Sequence, residues 1–315
     1  MSPDRAIRIR PLEERDFVEA NRILRVAFGT FQGEDPTRLF PGRESISTRW
    51  RANPGCALAA EVDGRLIATN IAANWGSFGY FGPLTVLPEY WDQKVAQALL
   101  EPTMGLFDRW NIAHRGLFTF PQSPKHIHLY EKFGFRAGHL TAIFRKAVSE
   151  RPQVTFEKLS TLSKDGQKAS IEACGALTGE LLEGLDLRVE IHAVLSQGLG
   201  DVCLIHEGAT LAGFAVCHLG AGTDAGDGAC YVKFGAALPS ANAEHSFRRL
   251  VEAAEALATD TGLGYVTLGV NMGRRRAYDR ISQSGYRTEI LGVAMETHPE
   301  RSTHRPDVYL IDDWR

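Results

Sequence analysis

The sequence predicts an α/β (α+β) chain in which one pattern of strands and helices is written twice, and three observations carry that prediction. "CALAAEVDGRLIATNIAA" at 56–73 and "DVCLIHEGATLAGFAVCHL" at 201–219 each read as strand, tight turn, strand, with Asp63-Gly64 and Glu207-Gly208 at the turns. "YFGPLTVLP", ending at Pro88, is answered by "VKFGAALP", ending at Pro239, and a helical pattern follows each. "EKFGFR" at 131–136 is answered by "SQSGYR" at 282–287, with 46 residues from Pro88 to Gly134 and again 46 from Pro239 to Gly285. A repeat that keeps its register alongside matched chemistry is one structural unit used twice.

Each copy reads in order as strand, helical region, hairpin, third meander strand, helix, strand, helix, strand. The opening strand lies near "IRIRP", and the next helix gathers Phe17, Ala20, Ile23, Leu24, Ala27 and Phe28 on one face, the stripe that a core-facing helix needs. After the meander, Val95, Leu99 and Leu100 mark the helix of the first copy, and Phe247, Leu250, Val251, Ala254 and Ala258 that of the second. Pro102 falls inside the former and predicts a kink there or a break after Glu101. "HRGLFTF" and "GYVTLGV" are short, nearly continuous apolar runs, as buried central strands are. Arg151–Val154 is the natural boundary, so the expected domains are 1–150 and 151–315; at 315 residues the chain suits two cores better than one. "GAGTDAGDGA" at 220–229 has no phosphate-loop spacing and reads as a hairpin loop, and "DVYLIDDWR" at the end alternates well enough to add a strand to an edge.

Composition narrows the function. A net charge of -3 with no long basic block excludes a nucleic-acid grip, which depends on clustered cations; the densest basic spot, Arg274–Arg276, reads as a solvated helix start. No apolar run spans a membrane and the N-terminal "MSPDRAIRIR" lacks the apolar core of a secretory signal, so the expected location is the cytoplasm. The five cysteines, Cys56, Cys174, Cys203, Cys217 and Cys230, form no CxxC pair and read as buried thiols, not as a disulfide framework or zinc site. His126 and His128 in "KHIH" face apart on a helix, so no metal is expected.

Three local motifs resemble the GNAT superfamily of acyl-CoA-dependent N-acyltransferases. Val86, Pro88 and Tyr90 match V-x-P-x-Y leading into a helix; the loop R/Q-x-x-G-x-G/A falls on Trp91, Asp92, Gln93, Lys94, Val95 and Ala96, with Lys94 where the family has its first glycine; and L-Y-E-K-x-G-F stands unchanged at Leu129–Phe135. The resemblance covers nearly the whole chain as two tandem GNAT-like domains, each a mixed, mainly antiparallel central sheet flanked by helices. It implies acetyl-CoA as co-substrate, with pyrophosphate at Gln93, Lys94, Val95 and Ala96 and pantetheine along the third meander strand at Leu84, Thr85 and Val86. It also implies that Tyr130 is the acid that protonates the departing thiolate.

The physics of those positions is independent of the family. A helix N-terminus offers unpaired NH groups and partial positive charge to a phosphate. At Lys94 the long side chain either obstructs the phosphate or swings out and adds a cation to the same anion, and Asp92 beside it is expected to face solvent or cap the helix. In the second copy the equivalent positions are His245 and Phe247, and Ile281 stands where the first copy has Tyr130, so that copy is read as a degenerate, structural or acceptor-shaping unit. Tyr278 is read there as core or rim.

The expected reaction is acetyl transfer to the amine of a small molecule, with no nucleic-acid or membrane partner and with oligomers possible. The acceptor is assigned to the loop-rich stretch 28–50, where Glu34 and Asp35 suit a cationic amine while Arg38, Arg43 and Arg49 suit a carboxylate; Tyr80 is a further candidate contributor. Two alternatives stay open: a catalytically silent protein of this fold that binds CoA or another small ligand, and an acyl-CoA enzyme with different chemistry such as decarboxylation or hydrolysis.

Overall fold

The structure is a computed structural model and describes residues 6–315; the first five residues of the stretch read above for a signal lie outside the described residues. The first half runs β1 (Arg8–Pro11), α1 (Phe17–Gln32), α2 (Ile46–Ala52), β2 (Ala57–Val62), β3 (Arg65–Trp75), β4 (Phe78–Phe81), β5 (Thr85–Val86), α3 (Val95–Arg109), β6 (His114–Thr119), α4 (Pro124–Glu131) and β7 (Arg136–Ala147). The second half repeats the order as β8 (Glu157–Lys158), α5 (Lys164–Leu181), α6 (Arg188–Ser196), β9 (Gly200–Glu207), β10 (Thr210–Leu219), β11 (Ala229–Ala237), α7 (Ala243–Asp260), β12 (Tyr265–Asn271), α8 (Arg275–Gln283) and β13 (Arg287–Glu296), and then adds β14 (Leu310–Ile311).

All of these strands join one mixed, mainly antiparallel sheet, whose main path is β1-β2-β3-β4-β6-β13-β7-β12-β11-β10-β9-β8. The order is symmetrical about the β13/β7 seam, and the last strand of each half crosses over it. β13 pairs with β6, Val293 opposite Thr119, while β7 pairs with β12, Phe144 opposite Leu268. Each half therefore completes its sheet with the other half's final strand. A buried polar lock holds the exchange: Glu296 at the end of β13 bonds His114 of β6 at 2.8 Å, Ser302 at 2.9 Å and His304 at 3.1 Å.

The helices pack where their apolar stripes require. Ala20, Ile23, Leu24 and Ala27 of α1 are buried, as are Phe247, Leu250, Val251, Ala254 and Ala258 of α7, and each large aliphatic or aromatic side chain so placed contributes about 1.5–3 kcal/mol. All five cysteines are free and buried. No helix among the described residues is long and apolar enough to cross a membrane.

One of the two alternatives for Pro102 is excluded, and one sequence expectation is corrected. Helix α3 does not break at Glu101: it runs through Pro102, and the Thr103 hydroxyl bonds the Leu99 carbonyl at 2.7 Å while accepting from Asn70 at 2.9 Å. Arg274 is not solvated; it is fully buried, ion-paired with Asp312 at 2.7 Å and bonded to Thr303 at 2.9 Å. Arg275 and Arg276 are exposed, as expected.

The halves also meet through buried charge. Arg49 of α2 pairs with Asp224 at 3.2 Å, and Lys233 of β11 bridges Asp224 at 3.3 Å and Glu190 of α6 at 2.9 Å. Trp75 of β3 donates to Glu190 at 2.9 Å.

Candidate active site

The site begins with a split in the sheet. β4 runs parallel to β6 from Phe78 opposite His114 to Phe81 opposite Leu117, and there the pairing ends. β5 stays with β3, Val86 opposite Ala68, and among the described residues no strand pairs with its other edge. The wedge between β5 and the end of β6 leads to the N-terminus of α3. Its first main-chain bond is Ala98 N to Lys94 O at 3.0 Å, so the NH groups of Val95, Ala96 and Gln97 have no partner within the helix.

The loop into α3 keeps a glycine-like backbone without glycine. Asp92 and Lys94 have φ of 65° and 61°, a region that costs an L-residue about 1–2 kcal/mol. Lys94 is the N-cap, no side chain caps the helix, and its first turn carries no acid. The lysine side chain is exposed. Asp92 is exposed and paired with Lys125 of α4, while Trp91 pins the loop by donating to Val86 O at 2.8 Å.

From this turn a groove of about 510 Å³ runs along the wedge. It brings together Leu84, Thr85, Val86, Lys94, Val95, Ala96 and Tyr130, and its walls also carry Lys132 and the Lys125–Asp92 ion pair. Gln93 stands apart, its amide turned back to Glu89 O at 2.8 Å. Length, free NH groups and cations suit an extended ligand with a diphosphate at one end.

Tyr130 lines both this groove and a second cavity of about 160 Å³. It sits on α4, whose N-cap Ser123 accepts from His126 N, with its ring 5.7 Å from Phe81. Burial pushes the phenol up to about 12, against a smaller opposing effect of a hydrogen bond with Thr119. It is therefore protonated at neutral pH and able to donate.

The second cavity lies between the halves. Its walls include the aromatic rings of Phe28, Phe40, Phe118, Phe120 and Trp314, and its polar groups include Arg43, Arg49, Asp224, His126 and Arg315. Glu34 and Asp35 are exposed and line neither cavity; Asp35 is engaged by Thr37, whose NH and hydroxyl donate to it at 2.9 and 2.8 Å. Tyr80 is buried 4.8 Å from Trp75 and lines neither cavity. Burial raises its phenol well above the ordinary value.

His126 is a site residue that the sequence reading set aside. It stands four residues before Tyr130, one helical turn along the same face, and lines both cavities, whereas His128 lines the groove alone and lies 3.7 Å from Glu131. Burial, reinforced by Lys125, lowers the His126 pKa, so the imidazole is neutral at pH 7. The i, i+4 spacing to Tyr130 was a usable signal. Asp224, Trp314 and Arg315 carried none, because they arrive from the other half of the chain.

The corresponding opening in the second half is filled. β11 and β12 stay paired only to Val232 opposite Leu268, and β14 then enters, Gly235 opposite Ile311. At the N-terminus of α7, Glu207 accepts from Asn242 at 3.1 Å and Ser246 at 2.9 Å. Glu244 accepts from Tyr309 at 3.1 Å. Ile281 is buried, and Tyr278 packs 5.6 Å from Phe144.

Comparison with known proteins agrees with this geometry. Residues 19–135 match the model of the Acetyltransferase (GNAT) family. No curated protein matches. Among solved structures, an acetyltransferase-type protein from Pyrococcus horikoshii superposes with a TM-score of 0.68 at 13% identity, covering 96% of this chain and 93% of its own. A GCN5-related N-acetyltransferase from Sphaerobacter thermophilus gives 0.59 at 15% identity, covering 93% and 96%. A GCN5-related glucosamine N-acetyltransferase region of a fungal β-N-acetylglucosaminidase gives 0.64 at 12% identity, covering 93% of this chain and 38% of that one. At such identities the structural likeness establishes the fold, here across nearly the whole chain.

Proposed function

From a GNAT acetyltransferase domain at residues 19–135, set in a chain that has this fold nearly throughout, we propose that the protein transfers an acetyl group from acetyl-CoA to the amine of a small molecule. In this reading residues 1–150 hold the co-substrate and residues 151–315 shape the acceptor pocket. The observation that carries it is the position of Tyr130, which lines both the groove and the second cavity.

The pyrophosphate lies against the first turn of α3, with the NH groups of Val95 and Ala96 and the ammonium of Lys94 around it. The pantetheine arm runs past Leu84, Thr85 and Val86, whose free edge offers NH groups to the thioester carbonyl. A neutral amine in the second cavity attacks that carbonyl, a C–N bond forms, and the C–S bond breaks. Tyr130 gives its proton to the departing sulfur, and the neutral imidazole of His126 takes the proton lost by nitrogen.

The test compares wild type with Tyr130→Phe, reading CoA thiol release against an amine panel and acetyl-CoA affinity by calorimetry. The expected result is one acetyl-CoA per chain in both proteins, with kcat at least about 100-fold lower in the variant. In wild type the rate should rise with pH as the amine deprotonates, with no falling limb below about pH 10, because the phenol stays protonated until about 12. Unchanged turnover in Tyr130→Phe would remove the general-acid role. Binding of acetyl-CoA without release on any amine would favour a silent binding protein.

A further inference from the structure

Arg43 is a guanidinium placed in a cavity without a counter-charge. It lines the 160 Å³ cavity and lies 5.1 Å from the Phe40 ring centroid, but it makes no ion pair among the described residues, unlike its neighbours. Arg49 is paired with Asp224 at 3.2 Å and Arg315 with Asp313 at 2.9 Å. Asp224, whose side-chain carboxylate lines the cavity, is already shared between Arg49 and Lys233. Burial lowers the Arg43 pKa and the facing charge of Arg315 lowers it further, against smaller opposing effects from Asp224, Tyr231 and Asp313. A cation in that position gains from an arriving anion.

The backbone that carries Arg43 is held for the purpose. The glycine-rich 220–229 loop of the second half clasps residues 41–44 by main-chain bonds: Gly222 N to Gly42 O at 2.8 Å, Glu44 N to Thr223 O at 2.9 Å and Asp227 N to Pro41 O at 3.0 Å. The fit needs glycine at two points. Gly42 (φ 65°) and Gly226 (φ 80°) both have left-handed backbones, and a Cβ would meet Asp227 in one case and Pro41 O in the other. A clasped loop presents its guanidinium with little ordering cost when a ligand arrives.

The geometry points to an acceptor that carries a carboxylate as well as its amine, with Arg43 as the residue that reads the carboxylate. This rests on the transfer reading above and names the substrate class for it. The amine lies toward Tyr130 and the apolar body among Phe28, Phe40, Phe118, Phe120 and Trp314. A void of about 150 Å³ with apolar walls holds a benzene-sized molecule, so the buried body is about one ring or one branched chain. Planar bidentate pairing makes arginine a better reader of carboxylate than lysine.

Two matched probe pairs test this: phenylalanine against phenethylamine, and 4-(aminomethyl)benzoate against benzylamine, with 3-phenylpropionate as an acid that has no amine. In wild type, the carboxylated member of at least one pair should have a kcat/KM about 10-fold or more above its counterpart. Arg43→Gln should erase that preference mainly through KM, and Arg43→Lys should retain part of it. Calorimetry should show 3-phenylpropionate binding to wild type and not to Arg43→Gln, with acetyl-CoA affinity and melting temperature unchanged. Equal turnover within both pairs, or a preference that survives Arg43→Gln, overturns the proposal. If no amine is acetylated, Arg43-dependent binding of the acid still supports the carboxylate site while counting against transfer; absence of that binding overturns the carboxylate site as well.

Discussion

In the first half of the chain β4 parts from β6 after Phe81 and the opening is a groove; in the second, β11 parts from β12 after Val232 and β14 enters the gap. The helix termini facing the two openings differ in the same sense. The first turn of α3 carries no acid, whereas α7 has Glu244 in its first turn and Glu207 bonded to Asn242 and Ser246. One backbone plan thus yields a terminus whose first turn is free of acids and a terminus whose positive end is already met by carboxylates. Duplication supplied two equivalent clefts, and the chain used its own terminal segment to close one of them. The same segment carries Trp314 and Arg315 on into the wall of the open half's second cavity.

The largest effect should come from loosening that plug. Arg274 and Asp312 form a buried pair that fastens the segment following β13. Arg274→Leu leaves the Asp312 carboxylate buried and uncompensated, which costs about 3–5 kcal/mol. Chemical denaturation should show a loss of that size, and limited proteolysis should report faster cleavage around 305–315. Stability within about 1 kcal/mol of wild type would mean that the ion pair does not fasten the plug.

The seam between the halves should be sensitive to acid. Burial alone would raise the Glu296 pKa, but hydrogen bonds from His114 and His304 prevail and hold it down to about 2. A carboxylate depressed in the folded state adds stability above its unfolded pKa, near 4.5, and loses it as pH falls toward the folded value. The contribution is on the order of 3 kcal/mol. Unfolding followed between pH 6 and pH 2 should show wild-type stability falling through that window and Glu296→Gln changing less. Because each half borrows a strand from the other, unfolding should be a single transition by all probes; two separated transitions would argue against a sheet shared across the seam.

Much of this was legible in the residues and some was not. The repeat, both hairpins and the helix faces follow from apolar period and turn chemistry, which are local, and the mixed sheet is what the resemblance to GNAT enzymes implies. The motif Leu129–Phe135 led to Tyr130, and the meander to Leu84, Thr85 and Val86. The strand exchange was not legible, because β7 and β13 carry the same kind of pattern whichever neighbour they pair with. Nor was Arg274, since only the folded chain brings Asp312 to it. Glu34 and Asp35 were chosen for charge and proximity in sequence, but they are exposed and line neither cavity, while Arg43 of the same stretch lines the second. Such choices depend on contacts between residues far apart in the chain, here the clasp from 220–229.

The smallest effect bears on the loop that begins the groove. Lys94 holds a φ of 61° at the position where glycine would be unstrained, and in the proposed reading its ammonium joins the free NH groups of α3 around the phosphate. Lys94→Gly should therefore move two quantities in opposite directions. Stability should rise by up to about 1 kcal/mol as strain is relieved, offset in part by the greater freedom of glycine in the unfolded chain. Acetyl-CoA affinity should fall several-fold as a charge-assisted phosphate contact is lost, with the stoichiometry still one per chain because the second cleft stays filled. Tighter binding in the glycine variant would instead make the lysine an obstruction, and the open half would then owe its phosphate affinity to the backbone NH groups alone.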